Sequence, residues 1–324
     1  MWKKAIYIGT GIVLSLATIM TGSKSLSDSN IENYKRAAEL QDEMAARTFS
    51  GYHMTDYPVA FFDGTYDYVV TGGAQEQNIN IERRKPVIGS FVGTAYEVEG
   101  HYEILLPTVE QFSGMVDVLS AVQTFTEEKN TLDDEVGYSD EEHIATIFHE
   151  GFHAWQMSNF EKEMEECLQG RSFLDDNFGE SLIVEKVDHN PVIVAYYEQE
   201  MALLKKILLS DSMEEICSDL AEYQRIDEDR KGLLPEDVLI LEDYYERIEG
   251  TAFYIESKAY EMLKSEEEYR AKYVEPINHY SNGTHKYYSM GMAKCCILDK
   301  LCSDWRDTYT FSESLTEMLC QQAG

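Results

Sequence analysis

Apolar residues recur along most of this chain at the three- and four-residue spacing of helices that face a core. Residues 31–46 mix apolar and charged positions in that way and predict an amphipathic helix. Between Tyr57 and about Pro107 the pattern changes. Short β-branched or aromatic runs at 58–62, 87–98 and 102–106 predict strands, with glycine-rich breaks between them and a turn at Gly72-Gly73. Beyond Thr108 nearly everything reads as helix. Asn190-Pro191 gives an N-cap followed by proline at the first helical position, opening a helix to about Leu209. Further helices are predicted over 235–264 and 287–301. No internal repeat or low-complexity tract is present. The expected fold class is α+β and predominantly helical, a small N-terminal sheet region followed by a larger helical region.

The first residues depart from this pattern. Trp2-Lys3-Lys4 is a positive start, and the apolar run that follows, 5–20, is 16 residues long. A membrane span needs about 20, so the run fits a secretory signal better, with an uncleaved N-terminal anchor as the alternative. Ser15-Leu16-Ala17 and Thr21-Gly22-Ser23 both offer the small residues that a signal peptidase reads. No cysteine follows the run until Cys167, which excludes lipoprotein attachment at that end. The expected division is 1–27 as signal or anchor, 28–135 as an N-terminal α/β region, and 136–324 as a helical region. The expected location is secreted or associated with the cell envelope.

Composition narrows the class. At 324 residues with 44% apolar content, the chain can bury a substantial core. Sixty acidic residues against 27 basic give a net charge of −33, which repels phosphate backbones and anionic headgroups. Nucleic-acid binding is therefore not expected, and membrane contact is expected only through the N-terminal segment. Six cysteines, at 167, 217, 295, 296, 302 and 320, lack C-x-x-C spacing and read as unpaired packing residues. Glu198 and Glu200 read as solvated charges on a helix face, and Asn282-Gly283-Thr284 as a turn.

The chemistry concentrates at His149-Glu150-Gly151-Phe152-His153. Ser139 is a capping residue followed by acids at 140–142, where a helix N-terminus favours negative charge. Ile144, Phe148, Phe152 and Trp155 then recur at helical spacing. Four residues advance a helix by slightly more than one turn, so both imidazoles face one side, a turn apart. That arrangement suits two nitrogens on one tetrahedral Zn²⁺, with Glu150 at the flank as a base for water that the metal activates. The metzincin continuation needs glycine and histidine three and six residues past His153, where Gln156 and Asn159 stand. A third ligand must come from elsewhere. Glu249, Glu246, and the loop acids Asp175 and Asp176 are the candidates.

Glu249-Gly-Thr-Ala-Phe-Tyr-Ile-Glu256 resembles the helix that supplies the third zinc ligand in gluzincin metallopeptidases of the aminopeptidase-N branch. In that family the leading glutamate binds zinc, which implies Glu249 here, with Glu256 two turns on and able to orient a ligand or hold substrate. Tyr288-Ser289-Met290-Gly291 is similar to the family's Y-x-x-G segment, whose tyrosine stabilises the oxyanion. Tyr288 is then the implied oxyanion donor, with Tyr287 and His285 in reserve. The resemblance implies a zincin-like fold, one Zn²⁺ held by His149, His153 and Glu249, Glu150 as catalytic base, and a peptide or protein substrate. It covers three short segments. In the family the third ligand follows the second histidine by about twenty residues, whereas 95 residues intervene here. The G-x-M-E-N segment that anchors a free amino terminus is absent, so exo- and endopeptidase action both stay open. Residues 93–97 and 101–103 are expected to supply an edge strand beside the metal helix for strand addition by a peptide. Two other functions fit the motif: a non-catalytic zincin-fold binding protein, and a zinc amidohydrolase acting on a non-peptide substrate.

Overall fold

The computed structural model describes residues 25–73, 79–89, 93–114 and 138–322. Most of the predicted export segment, 1–24, lies outside the described residues, as do 115–137. Among the described residues no helix is long and apolar enough to cross a membrane. The described chain is mostly helical, with one small five-stranded mixed sheet. It forms two compact units, one of residues up to Arg47 together with Gly51–Ser158, the other of Thr48–Ser50 with residues from Asn159 onward.

The first unit contains helix α1 (Asp28–Arg47), strands β1 (Val59–Phe62), β2 (Asp67–Thr71), β3 (Asn80–Arg84), β4 (Thr94–Val98) and β5 (His101–Pro107), and the start of α2 (Asp140–Cys167). The strand order is β3-β2-β1-β5-β4. β1 pairs parallel with β5, and the other pairs are antiparallel. All four residues of β1 are buried, as expected for a central strand covered on both faces. Of the predicted strand at 87–98, residues 87–89 form no strand, 90–92 lie outside the described residues, and β4 begins at Thr94. Pro86 and Gly89 break the chain before it, and the Val87 N–H donates to Asp67 Oδ2 at 3.0 Å instead of entering a ladder. β2 and β3 were not expected. β3 is almost wholly exposed and polar, so it carries no apolar alternation to read.

The second unit is built around α7 (His285–Leu301), whose middle turns are buried from Met290 to Leu298. Against it lie α3 (Pro191–Leu209), α5 (Glu236–Tyr245), the wider π turn Glu246–Gly250 that continues α5, α6 (Thr251–Leu263) and α8 (Leu315–Gln322). α4 (Met213–Lys231) packs along α3. The predicted cap is present: Asn190 accepts from the N–H groups of Val192 and Ile193, with Pro191 opening α3. Glu200, expected in solvent, is fully buried, because Arg230 Nε donates to it at 2.7 Å. Glu198, two residues away, is exposed as expected. All six cysteines are free. Cys167, Cys295 and Cys296 are buried, while Cys217, Cys302 and Cys320 are partly exposed.

His143 ties α2 to α1 and to the end of β5. Asn33 Nδ2 donates to its Nδ1 at 3.2 Å, and its Nε2 donates to the Pro107 carbonyl at 3.2 Å. Burial pushes its pKa down to about 4, outweighing the opposing pull of the Pro107 carbonyl and of Asp140 and Glu110. The folded state thus holds His143 neutral, while the unfolded chain protonates it below about pH 6.5. Its contribution is complete above pH 6.5 and is lost as the pH falls toward 4, by roughly 3 kcal/mol in all. Urea unfolding across that window should show a flatter pH dependence for His143→Gln than for the wild type; parallel curves would contradict the assignment.

Candidate metal centre

Helix α2 presents the H-E-x-x-H residues from a turn locked against the sheet. Its start is a capping box: the Ser139 N–H donates to Glu142 Oε2 at 2.7 Å, and the Glu142 N–H donates to Ser139 Oγ at 3.2 Å. Ile144, Ile147, Phe148 and Phe152 are buried, so the helix is held by its apolar face. Gly151 has a packing reason. A Cβ there would stand 2.6 Å from Tyr52 Oη and 3.0 Å from Ile104 Cδ1. Tyr52 Oη in turn donates to the Phe148 carbonyl at 2.8 Å, fixing this turn to the segment before β1.

The two imidazoles meet edge to face, with ring centroids 4.9 Å apart and Nε2 atoms 3.2 Å apart. His149, Glu150 and His153 are all buried. His153 Nδ1 donates to Gln156 Oε1 at 2.7 Å, a partner that sequence reasoning assigned no role. Glu150 lies beside Gly93, just before edge strand β4. A Cβ at Gly93 would stand 2.5 Å from Glu150 Oε1 and 2.9 Å from Leu106 Cδ2, so only glycine leaves the carboxylate its place.

In the second unit, three glutamates follow one another along α5 and the π turn at steps of four and three residues. Glu242 takes Arg230 Nη1 and Nη2 at 2.7 and 2.6 Å. Burial works to raise the Glu242 carboxyl, but the Arg230 guanidinium outweighs it and holds the pKa below the usual range. Glu246 takes Lys294 Nζ on both oxygens, at 2.6 and 2.5 Å, and Lys294 also donates to Thr316 Oγ1 at 2.8 Å. That commits the Glu246 carboxylate to a buried ammonium. Glu249 is itself 1% exposed. A lone lysine in the apolar run of α7 was the available signal for the Lys294 pair.

The other candidates fall on different surroundings. Asp175 and Asp176 are exposed, and Asp175 Oδ2 accepts from the Ser172 N–H in a turn. Tyr287 is fully buried, with its Oη 3.1 Å from Tyr197 Oη inside the Arg230–Glu242 cluster, so it belongs to that cluster. Tyr288 is half-buried in the first turn of α7 and stacks on His285 at 5.5 Å. Glu256 accepts from Tyr273 Oη at 2.8 Å.

The glycines of the E-G and Y-x-x-G segments touch. A Cβ at Gly250 would stand 2.6 Å from Gly291 Cα, and one at Gly291 would stand 2.7 Å from both Gly250 Cα and the Glu246 carbonyl. The π turn and α7 thus meet backbone to backbone.

No protein-family model, no curated protein and no solved structure matches this chain.

Because the atoms facing Gly291 are backbone, neither helix can yield by turning a side chain. Gly291→Ala is expected to cost about 1–3 kcal/mol through overpacking, read as a lowered urea midpoint at unchanged slope. An unaltered midpoint would contradict the close crossing.

Proposed function

We propose that this protein is a zinc-dependent hydrolase, and more narrowly a metallopeptidase of gluzincin type, with zinc held by His149, His153 and Glu249. The observation that carries this is the 3.2 Å between the two Nε2 atoms. Two nitrogens on one tetrahedral zinc at about 2.0–2.1 Å stand about 3.3 Å apart, so the pair fits a shared ion. The third ligand, Glu249, is supported by the likeness of its Glu-Gly-Thr-Ala segment to the family's ligand-bearing helix and by its burial. Glu246, the rival ligand, is occupied by Lys294.

When bound, the ion supplies Lewis-acid polarisation of a carbonyl and an activated water. Glu150 then acts as general base, taking a proton on its carboxylate and passing it to the leaving amine. Gly93 keeps space for that carboxylate beside the sheet. Tyr288 donates its Oη hydrogen to the negative charge that develops on the substrate oxygen. A peptide is favoured as substrate because β4 is, among the described residues, an edge strand paired only with β5, and it begins beside Glu150. An extended peptide can add to that edge through backbone hydrogen bonds. Export through the N-terminal segment fits this reading.

Metal analysis of the purified protein should find about one zinc per chain, retained by Glu246→Gln wherever that variant folds, and lost in Glu249→Ala. A Glu249→Ala protein that keeps its metal would remove Glu249 from the ligand set. In a peptide-library digest, Glu150→Gln should lose at least about a hundredfold in turnover, the usual minimum for general-base catalysis, while keeping its zinc. Zinc binding without cleavage of any peptide would favour a different scissile bond or a binding role.

A further inference from the structure

His153 is held from behind by a side chain of its own helix. Gln156 lies one turn on, fully buried, with Oε1 2.7 Å from His153 Nδ1. An amide oxygen accepts and cannot donate, so the hydrogen of this bond is on Nδ1. The lone pair of the neutral ring is then on Nε2, the atom that faces His149 Nε2 at 3.2 Å. A buried amide needs such a partner, and a buried imidazole with one fixed nitrogen has one tautomer and one ring plane.

We propose that Gln156 is a positioning residue that fixes the His153 tautomer and presents Nε2 as a ligand atom for a divalent cation. This rests on the metal reading above and adds to it the group that orients a ligand. The partner is three residues away on the same helix, so the clamp forms when α2 forms and needs no second element. It is also uncharged. A carboxylate in this place would push more electron density into the ring, whereas the amide fixes geometry without adding to the net charge of the buried site. Gln156 occupies the position at which a metzincin needs glycine, and the long side chain there is what reaches back to the ring.

The test is made on metal-free protein labelled with ¹⁵N at histidine, and then by zinc titration against a chromophoric chelator. The wild-type long-range ¹H–¹⁵N spectrum should show His153 with a protonated Nδ1 and an unprotonated Nε2. In Gln156→Leu that single tautomer should be lost and zinc affinity should fall about 10- to 100-fold, with the circular dichroism unchanged. Gln156→Glu, which still accepts, should keep the tautomer and bind zinc at least as tightly as the wild type. A wild-type His153 protonated on Nε2 would overturn the proposal without reference to any variant. So would a folded Gln156→Leu with wild-type affinity. If the wild type binds no zinc, the metal reading falls by itself, and the tautomer spectrum still decides whether Gln156 orients the ring.

Discussion

Charge that is buried must be matched, and the second unit is organised around that constraint. Arg230, Lys286 and Lys294 are each fully buried. Arg230 on α4 reaches Glu200 and Tyr197 on α3 and Glu242 on α5. Lys294 on α7 reaches Glu246 on the π turn and Thr316 on α8. Lys286 pairs with Asp188 at 2.9 Å, ahead of α3. The helices around α7 are therefore cross-tied by groups that have no tolerable alternative. Desolvation offsets most of the attraction in such pairs, so their net stabilisation is small, but removing one partner costs about 3–5 kcal/mol. Their main effect is on register: a helix that slid by one residue would strand an ammonium in an apolar interior. The cost of burial is visible at Glu200, whose carboxyl is pushed up to about 7 despite the Arg230 guanidinium.

That constraint also sorts the glutamates. At the level of sequence, Glu246 and Glu249 were both reasonable ligands, because both acids face inward from one predicted helix. The distinction depends on Lys294, 48 residues further on, which takes both Glu246 oxygens. Burial works against the ammonium, yet the Glu246 carboxylate holds the Lys294 pKa above its ordinary value. The π turn adds to the separation. Its extra residue per turn shifts the phase of the helix between Glu242 and Thr251, and such single wide turns gather at functional positions. Nothing local in Glu-Arg-Ile-Glu-Gly announces it.

What was legible in the sequence was what is decided locally. The Ser139–Glu142 cap, the Asn190-Pro191 start and the placement of His149 and His153 on one helical face depend on neighbours within a few residues. β1 and β5 declared themselves through continuous apolar runs because they are buried. β3 did not, since its pairing with β2 leaves it nearly all in solvent. Glu200 was misread for the complementary reason. It stands between Tyr197 and Leu204 on the apolar face of α3, where its charge alone suggested solvent, and only Arg230, thirty residues on, makes it an interior residue. Gln156 drew no attention because an amide inside an amphipathic helix is common, and its partner is visible only once the ring is placed.

The resemblance to gluzincins gains and loses by the same reasoning. Gly250 and Gly291 belong to two of its three segments, yet each glycine is there because the other is in van der Waals reach. One backbone crossing accounts for both, so together they count as one packing requirement, not two signs of chemistry. Gly151 likewise answers to Tyr52 and Ile104. The residues that packing leaves to be explained are the imidazoles. Two rings turned edge to face with nitrogens 3.2 Å apart form at most one hydrogen bond between them. Apolar side chains in the same buried turn would carry no desolvation cost at all. The proposed cation, shared between the two nitrogens, would offset that cost directly.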